Sequence, residues 1–449
     1  MFKKIELWIV ILLLIFWILI TLLFGGILRD AYLNINKTPE KIRQTSVFLS
    51  EIPKTIYKII TIYFDINRPP KLIKNKDKPK FQRFISENRE ALLVLPRYDG
   101  DLNRSIVEII DLTNFKIIHT YKHDIDKMNE IIDTSNIENS RVKIDHSKIR
   151  FQYRHPLILQ DGSLISDGDY APLFKINFCS DLIWVNQEER FHHSIEMDEN
   201  QNNIWTAAQL FPYSKYVEKV YLNKFGFNDD AIAKLNTDGK ILFTKSIIEI
   251  LIENKILGEI IFVQSEDPIH LNDIQPANKT TKYWKKGDLF ISIPKQYSIM
   301  HYRPSNNKVI NYIKGPFYAH HDVDIISDKE ISIFNNNNSF INENKYSEVL
   351  IYNFETKTFK KKFNQSLIND NFKTQSQGLS EILKDGSMLV EEQNYGRLIF
   401  YNKEGEKEWE YVNKDKNGDI FYISWSRIIE DEKFIKKFKS LVKSKKCSN

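Results

Sequence analysis

A six-bladed, all-β propeller tethered by one N-terminal transmembrane helix is the fold this 449-residue sequence predicts, on three observations. An uncharged run at residues 7–28 is long enough to span hydrocarbon as a helix. From residue 90 onward, short alternating apolar runs separated by Asn, Asp, Gly and Lys clusters read as strands and tight turns. A strand-turn-strand unit then recurs six times in order, at spacings of about 49 to 67 residues, close to one four-stranded blade each.

The N-terminal run, LWIVILLLIFWILITLLFGGIL, follows Lys3, Lys4 and Glu6 and precedes Arg29 and Asp30. Residues 1–6 are therefore expected as a short cytoplasmic terminus and 7–28 as an uncleaved signal anchor. The alternatives are a buried helix of a soluble core and a cleaved signal peptide, whose apolar region is usually shorter and ends in a small-residue site that is absent here. Lys3 and Lys4 favour a cytoplasmic N-terminus, partly opposed by Arg29, Lys37 and Lys41, which puts the bulk of the chain in the periplasm or outside the cell.

Residues 29–89 read as a helical stalk and linker. Thr38 and Pro39 suit a helix cap and first helical position, and apolar residues at helical spacing continue to about Phe64, with one break expected at Pro53. This segment stands as a stalk or lies on the membrane. Arg68 to Lys80, with paired prolines and many lysines, reads as a polar linker.

Residues 90–449 form the predicted propeller. With 42% hydrophobic and 13% aromatic residues the chain can bury a large core, although 15 glycines are few for an all-β chain. Lys and Arg exceed Asp and Glu by five and are scattered, so no nucleic-acid footprint is present. Cys179 and Cys447 are too few for a disulfide framework, the second lies in a polar tail, and neither is assigned a redox or metal role.

The repeat is clearest where LFKINFCSDLIW (173–184) overlays LIFYNKEGEKEW (398–409), each a strand, a turn around an Asn and a strand reaching a Trp. DGSLI (161–165) precedes the first and DGSML (385–389) the second. Weaker copies centre near Asp111, Asn236, Arg303 and Asn353. The strand beginning near Ala91 is expected to join the last blade and close the ring, removing exposed sheet edges.

Several of these units open with histidine before an apolar strand. Because side chains alternate faces, parity selects His155, His193, His270 and His321 as one in-phase set, with His192 and His320 on the other face. Equivalent blade positions are related by rotation, so the set should ring one mouth of the central channel. Such imidazoles can ligate a metal, bind an anion when protonated, or act as nucleophile and general acid or base.

The stretches FHHSIEMDENQNNIW (191–205), DPIHLNDIQPA (267–277), GDLFIS with a following YRP (287–304), GPFYAHHDVDIISDKEISIFNNN (315–337) and DGSMLVEEQNYGRLIFYNKEGEKEWEY (385–411) resemble the arylsulfotransferases, more closely their bacterial membrane-anchored relatives. The resemblance implies a six-bladed propeller moving a sulfuryl group from an aryl sulfate ester to a phenolic acceptor, without a nucleotide sulfate donor, metal or other cofactor. It also implies His321 as a nucleophile that forms a sulfohistidine, with His193, His270 and Asn272 holding sulfate oxygens. Where the relatives carry Arg, a gap-free register places Pro294, and Lys295 beside it is the candidate replacement charge. Two other readings stay open: a membrane-anchored propeller that binds a ligand or partner without catalysis, and a metal site built from His193, His270 and His321.

Overall fold

The computed structural model describes residues 6–32, 37–63, 72–86, 89–135, 139, 142–220, 227–259, 267–338 and 346–447. The chain divides into two compact units, residues 1–67 with 218–227 and 263–266, and the remainder.

In the first unit a helix runs from Leu7 to Tyr32, and its Leu7–Ala31 stretch is long and apolar enough for a membrane span or a signal sequence. A second helix spans Glu40–Tyr63. It continues through Pro53, where a break was expected, although proline withdraws one donor from its ladder. The Thr38 hydroxyl donates to Asp30 Oδ2 at 2.8 Å, and the Pro39 carbonyl accepts the first helical amides, from Ile42 and Arg43.

Among the described residues the second unit is built from five antiparallel sheets with a propeller-like arrangement. The first orders Arg427–Ile429, Leu92–Asp99, Arg104–Asp111 and Lys116–Tyr121. The second has seven strands, running from Arg154–Ile158 through Leu164–Asp167, Ala171–Ile176, the long Leu182–Met197, Asn203–Gln209 and Asp230–Asn236 to Ile241–Ser246. The third comprises Asp273–Pro276, Leu289–Ile293, Ser298–Arg303 and Lys308–Lys314, and the fourth Val323–Ile325, Glu330–Asn335, Glu348–Asn353 and Thr358–Lys362. The fifth orders Ser380–Ile382, Met388–Glu392, Arg397–Tyr401, Lys407–Val412 and Phe81–Arg83.

All six repeated segments are antiparallel hairpins. Their recurrent Asn has a physical job. Asn177, Asn236, Asn353 and Asn402 each accept two backbone amides of their own turn on Oδ1, which closes the loop, without a glycine at Asn177 and Asn353 and with Gly239 and Gly405 at the other two. The Asp-Gly-Ser pairs work alike: Asp161 and Asp385 accept both the amide and the hydroxyl of Ser163 and Ser387, across glycines at φ 79° and 89°.

Closure differs from the expectation. The strand beginning at Leu92 does not join the last sheet; it pairs with the C-terminal strand Arg427–Ile429, which becomes the innermost strand of the first sheet. The last sheet is instead extended by Phe81–Arg83, which pairs with Trp409–Tyr411 and lies upstream of the expected boundary at residue 90. The described part of the expected linker is packed too, through a Leu72–Ile420 bridge and ion pairs from Lys74 to Glu392 and Lys78 to Glu410.

Inner strands are tied to one another by side chains that accept the next strand's amide. Ser194 Oγ takes Ile274 N–H (3.0 Å), Asp273 Oδ2 takes Val323 N–H (2.9 Å), Asp322 Oδ2 takes Ser380 N–H (3.0 Å) and Glu381 Oε2 takes Ile428 N–H (2.7 Å). Arg427 completes the circuit by donating to the His155 and Ile195 carbonyls. Apolar clusters fill the spaces between neighbours: Phe290, Ile299 and Phe317 meet Val323, Ile333 and Leu350, and Leu93 and Leu95 meet Leu398, Phe400 and Trp409.

The C-terminus is not a free tail. The helix Glu432–Ser444, capped by Asp431, buries Phe434, Ile435 and Phe438 in the cluster shared by the first and second sheets, and Cys447 forms a disulfide with Cys179. The two cysteines stand 268 residues apart, so nothing local in the sequence signals the pairing.

Glu381→Leu should lower unfolding stability by about 1–3 kcal/mol by stranding the Ile428 amide, whereas Glu381→Gln, which keeps an acceptor, should not. Equal melting temperatures for the two variants would show that closure does not depend on this bond.

Candidate active site

The segments that open the inner strands hold left-handed backbone at His193 (φ 62°), His270 (φ 53°), Ala319 (φ 53°) and Trp425 (φ 55°). Non-glycine residues keep this conformation only where the surrounding structure imposes it, and such positions cluster at functional sites. It also breaks the regular alternation of faces on which strand parity relies.

Three of the four expected histidines come together. Ring centroids of His193 lie 5.5 Å from His270 and 6.3 Å from His321. His155 is not with them. Trp425 stands between, 6.1 Å from His193 and 5.1 Å from His155, and His155 Nε2 faces Glu196 Oε1 at 3.5 Å. His192, assigned by parity to the other face, is buried against the cluster, with Nδ1 2.7 Å from His193 Nδ1 and its ring stacked on Tyr170. His320 does turn elsewhere, to the Ser298 carbonyl and Phe317.

Asn272 and Lys295 sit less directly on the cluster. Asn272 Nδ2 donates to the His320 carbonyl at 3.0 Å, and its Oδ1 is buried without a hydrogen-bond partner among the described residues. Lys295 is exposed on the 3₁₀ turn Pro294–Gln296 and reaches Asp267 and His270 through its charge.

Other residues complete the site. Asp267 pairs with His270 Nδ1; it lies three residues upstream in the Asp-Pro-Ile-His stretch, which was the one available signal. Arg154 is buried, donating to Asp169 Oδ2 at 2.9 Å and Ser424 Oγ at 3.2 Å, and Asp169 Oδ1 lies 3.7 Å from His193 Nδ1. His321 Nδ1 lies 2.7 Å from Asn336 Oδ1 and 3.0 Å from the Ala319 carbonyl, and its Nε2 accepts the Gln377 amide at 2.9 Å. Asn336 belongs to an Asn run that reads as an ordinary turn, and Gln377 and Trp425 carry no motif at all.

The electrostatics separate the histidines. Burial first, then the charges of His270 and Arg154, hold His321 down to about 4, against the raising effect of its bonds to Asn336 and Ala319. Burial, with neighbouring His192 and His270, holds His193 well below its ordinary value. Burial opposes protonation of His270 too, but the Asp267 carboxylate and the charge of Asp230 prevail and raise its pKa. At neutral pH the cluster thus offers two neutral imidazoles beside one that favours its proton.

Among the described residues no group of three or more His, Cys, Asp or Glu is arranged to hold a metal ion. A cavity of about 900 Å³ is lined in part by His155, Glu196, Asp322, Asp324, Glu381 and Arg427. Its lining holds seven acidic side chains and three cations, and burial raises Asp322, Asp324 and Glu381, the last to about 8, so these three favour their protons.

Burial lowers His320 to about 3, below the value of about 6.5 expected in the unfolded chain. The unfolded chain therefore takes up the proton first, so the stability His320 confers is whole above about pH 6.5 and is lost as pH falls toward 3. His320→Gln should flatten the acid decline of the unfolding free energy by nearly one proton between those limits. An unchanged slope in denaturant titrations across that range would mean that His320 is protonated in the folded state.

Residues 155–414, more than half of the 449-residue chain, match the arylsulfotransferase (ASST) family. No curated protein matches the sequence. Among solved structures, similar chains include a protein of unknown function from Bacteroides caccae (11% identity, 76% of this chain and all of that one, TM-score 0.48). Others are TolB from Acinetobacter baumannii (8%, 88% and 74%, TM-score 0.45) and virginiamycin B lyase from Staphylococcus aureus (10%, 74% and 87%, TM-score 0.37). The assignment rests on the sequence match and not on these likenesses: the chain belongs to the arylsulfotransferase family.

Proposed function

We propose that the protein transfers a sulfuryl group from an aryl sulfate ester to a phenolic acceptor, with His321 as nucleophile and no nucleotide sulfate donor. Beside the family match, one observation carries this reading: His321 is held neutral, as a nucleophilic imidazole must be. In the first half-reaction Nε2 attacks sulfur, the N–S bond forms and the S–O bond breaks, and the leaving phenolate takes the proton of His270. In the second, the acceptor phenol returns a proton to His270 as its oxygen attacks sulfur and the N–S bond breaks. His193 and Asn272 are assigned to the sulfuryl oxygens, and Lys295 to the charge that the relatives supply with Arg. The exposed Tyr297 and Tyr318, with rings 5.6 Å apart, lie two residues after Lys295 and three before His321 and suit an aryl group.

We read the seven-stranded sheet as two blades, which makes six. In support, Leu182–Asn186 pairs with Ala171–Ile176, Arg190–Met197 pairs with Asn203–Gln209, and an apolar cluster of Leu157, Ile165 and Leu173 with Ile195, Ala208 and Ala233 joins the two halves. The propeller is assigned to the periplasm or cell exterior, anchored by the Leu7–Tyr32 helix. The Cys179–Cys447 disulfide supports that side, since the cytosol keeps thiols reduced.

A second reading, a binding propeller without catalysis, is favoured by the Gln377 amide, which already occupies the Nε2 lone pair in this state. A chromogenic aryl sulfate with a phenol separates the two. Transfer by the full chain should persist as pH falls, failing only near 4 as His321 protonates, and should decline in alkali once His270 loses its proton above the ordinary histidine range. His321→Ala should abolish it while the protein still folds, at a cost of about 1–3 kcal/mol for stranding the Gln377 amide and Asn336 Oδ1. No transfer by the wild type, with the ester still bound, would establish the binding protein.

A further inference from the structure

Both faces of the His321 ring edge are specified, and one side chain links them. The Asn336 carboxamide orientation is fixed because its Nδ2 donates to two carbonyls, Gln377 O at 2.7 Å and Thr374 O at 3.1 Å. Its Oδ1 is therefore the atom presented to His321 Nδ1 at 2.7 Å. An acceptor there, with the Ala319 carbonyl as a second at 3.0 Å, requires the imidazole proton on Nδ1. Nε2 is then the nitrogen with the lone pair, as the Gln377 amide pointing at it also demands.

We propose that Asn336 is the positioning residue of this site: it fixes the proton of His321 on Nδ1, leaves Nε2 as the reacting atom, and ties the ring to the 374–377 segment whose Gln377 amide must yield before Nε2 can react. The inference rests on the nucleophile assignment for its catalytic consequence, but the tautomer itself does not. An imidazole held by a third group in one tautomer and orientation is the arrangement by which a reacting nitrogen is kept aimed. Asn336 is buried and, among the described residues, donates only to backbone carbonyls, so its own alignment is set by the fold and not by substrate.

The test uses ¹⁵N-histidine-labelled full-length protein in lipid, with the His321 signals identified by their loss in His321→Ala. The wild type at neutral pH should show a protonated Nδ1 and an unprotonated Nε2. Asn336→Leu leaves Ala319 as the remaining acceptor and releases the 374–377 segment, so that the Gln377 amide is no longer held at Nε2; it should give a mixture of tautomers and lower kcat on the order of tenfold to a hundredfold with KM little changed. Asn336→Asp loses both Nδ2 donations but keeps an acceptor for Nδ1 and adds a charge, so it should retain the Nδ1–H tautomer and move the acid limb of the rate to higher pH. Should the Leu variant fail to fold, the Asp variant carries the test through that shift. An Nδ1–H tautomer unchanged in Asn336→Leu, or an acid limb unmoved in Asn336→Asp, would overturn the proposal. Because the spectra need no turnover, a wild type without transfer but with an Asn336-dependent tautomer would sink the nucleophile assignment and keep the positioning role.

Discussion

Between each pair of adjoining inner strands a polar side chain accepts the next strand's backbone amide, through Ser194, Asp273, Asp322 and Glu381, and Arg427 returns the circuit to the His155 and Ile195 carbonyls. These are the strands that have no neighbour of their own sheet on the channel side, so their outward-facing amides need partners from elsewhere. The bonds fix the spacing of successive sheets, and His193 and His321 directly precede Ser194 and Asp322. Placing the imidazoles and closing the ring are thus consequences of the same contacts. The C-terminal strand, held by Glu381 and Leu92–Val94, locks the last sheet of this unit to the first, with the disulfide and the terminal helix behind it.

The burial that this closure creates sets the chemistry. It removes the water that would solvate an imidazolium, so His193 and His321 stay neutral, and only His270 retains a raised affinity for its proton because Asp267 is bonded to it. An anion entering such a site meets two neutral rings and one paired cation, with the buried Arg154 guanidinium acting on His193 and His321 through space. Its partner Asp169 sits beside His193 and offsets part of that charge.

The sequence was most informative where structure is local. Hairpins around Asn177, Asn236, Asn353 and Asn402 were legible because one side chain closes each turn. His193, His270 and His321 were legible as a cluster because each heads an inner strand. What escaped depends on contacts between distant segments: the Cys179–Cys447 bond, the insertion of Arg427–Ile429 beside Leu92, and the placement of Trp425 where His155 was expected. Parity failed at His155 and His192 because left-handed residues interrupt the alternation that the argument assumed. Asn336 and Gln377 were invisible because their roles belong to backbone directions that no spacing encodes.

The central claim is that His321 carries the sulfuryl group, and the covalent intermediate tests it most directly. Full-length protein mixed briefly with an aryl sulfate in the absence of acceptor, quenched in alkali to spare an acid-labile N–S bond, can be digested and its peptides weighed. A mass increase equal to SO₃ on the peptide containing His321, discharged when a phenol is added before the quench, is the predicted result. Release of phenol with the adduct on another residue, or with no adduct at all while turnover proceeds, would contradict it.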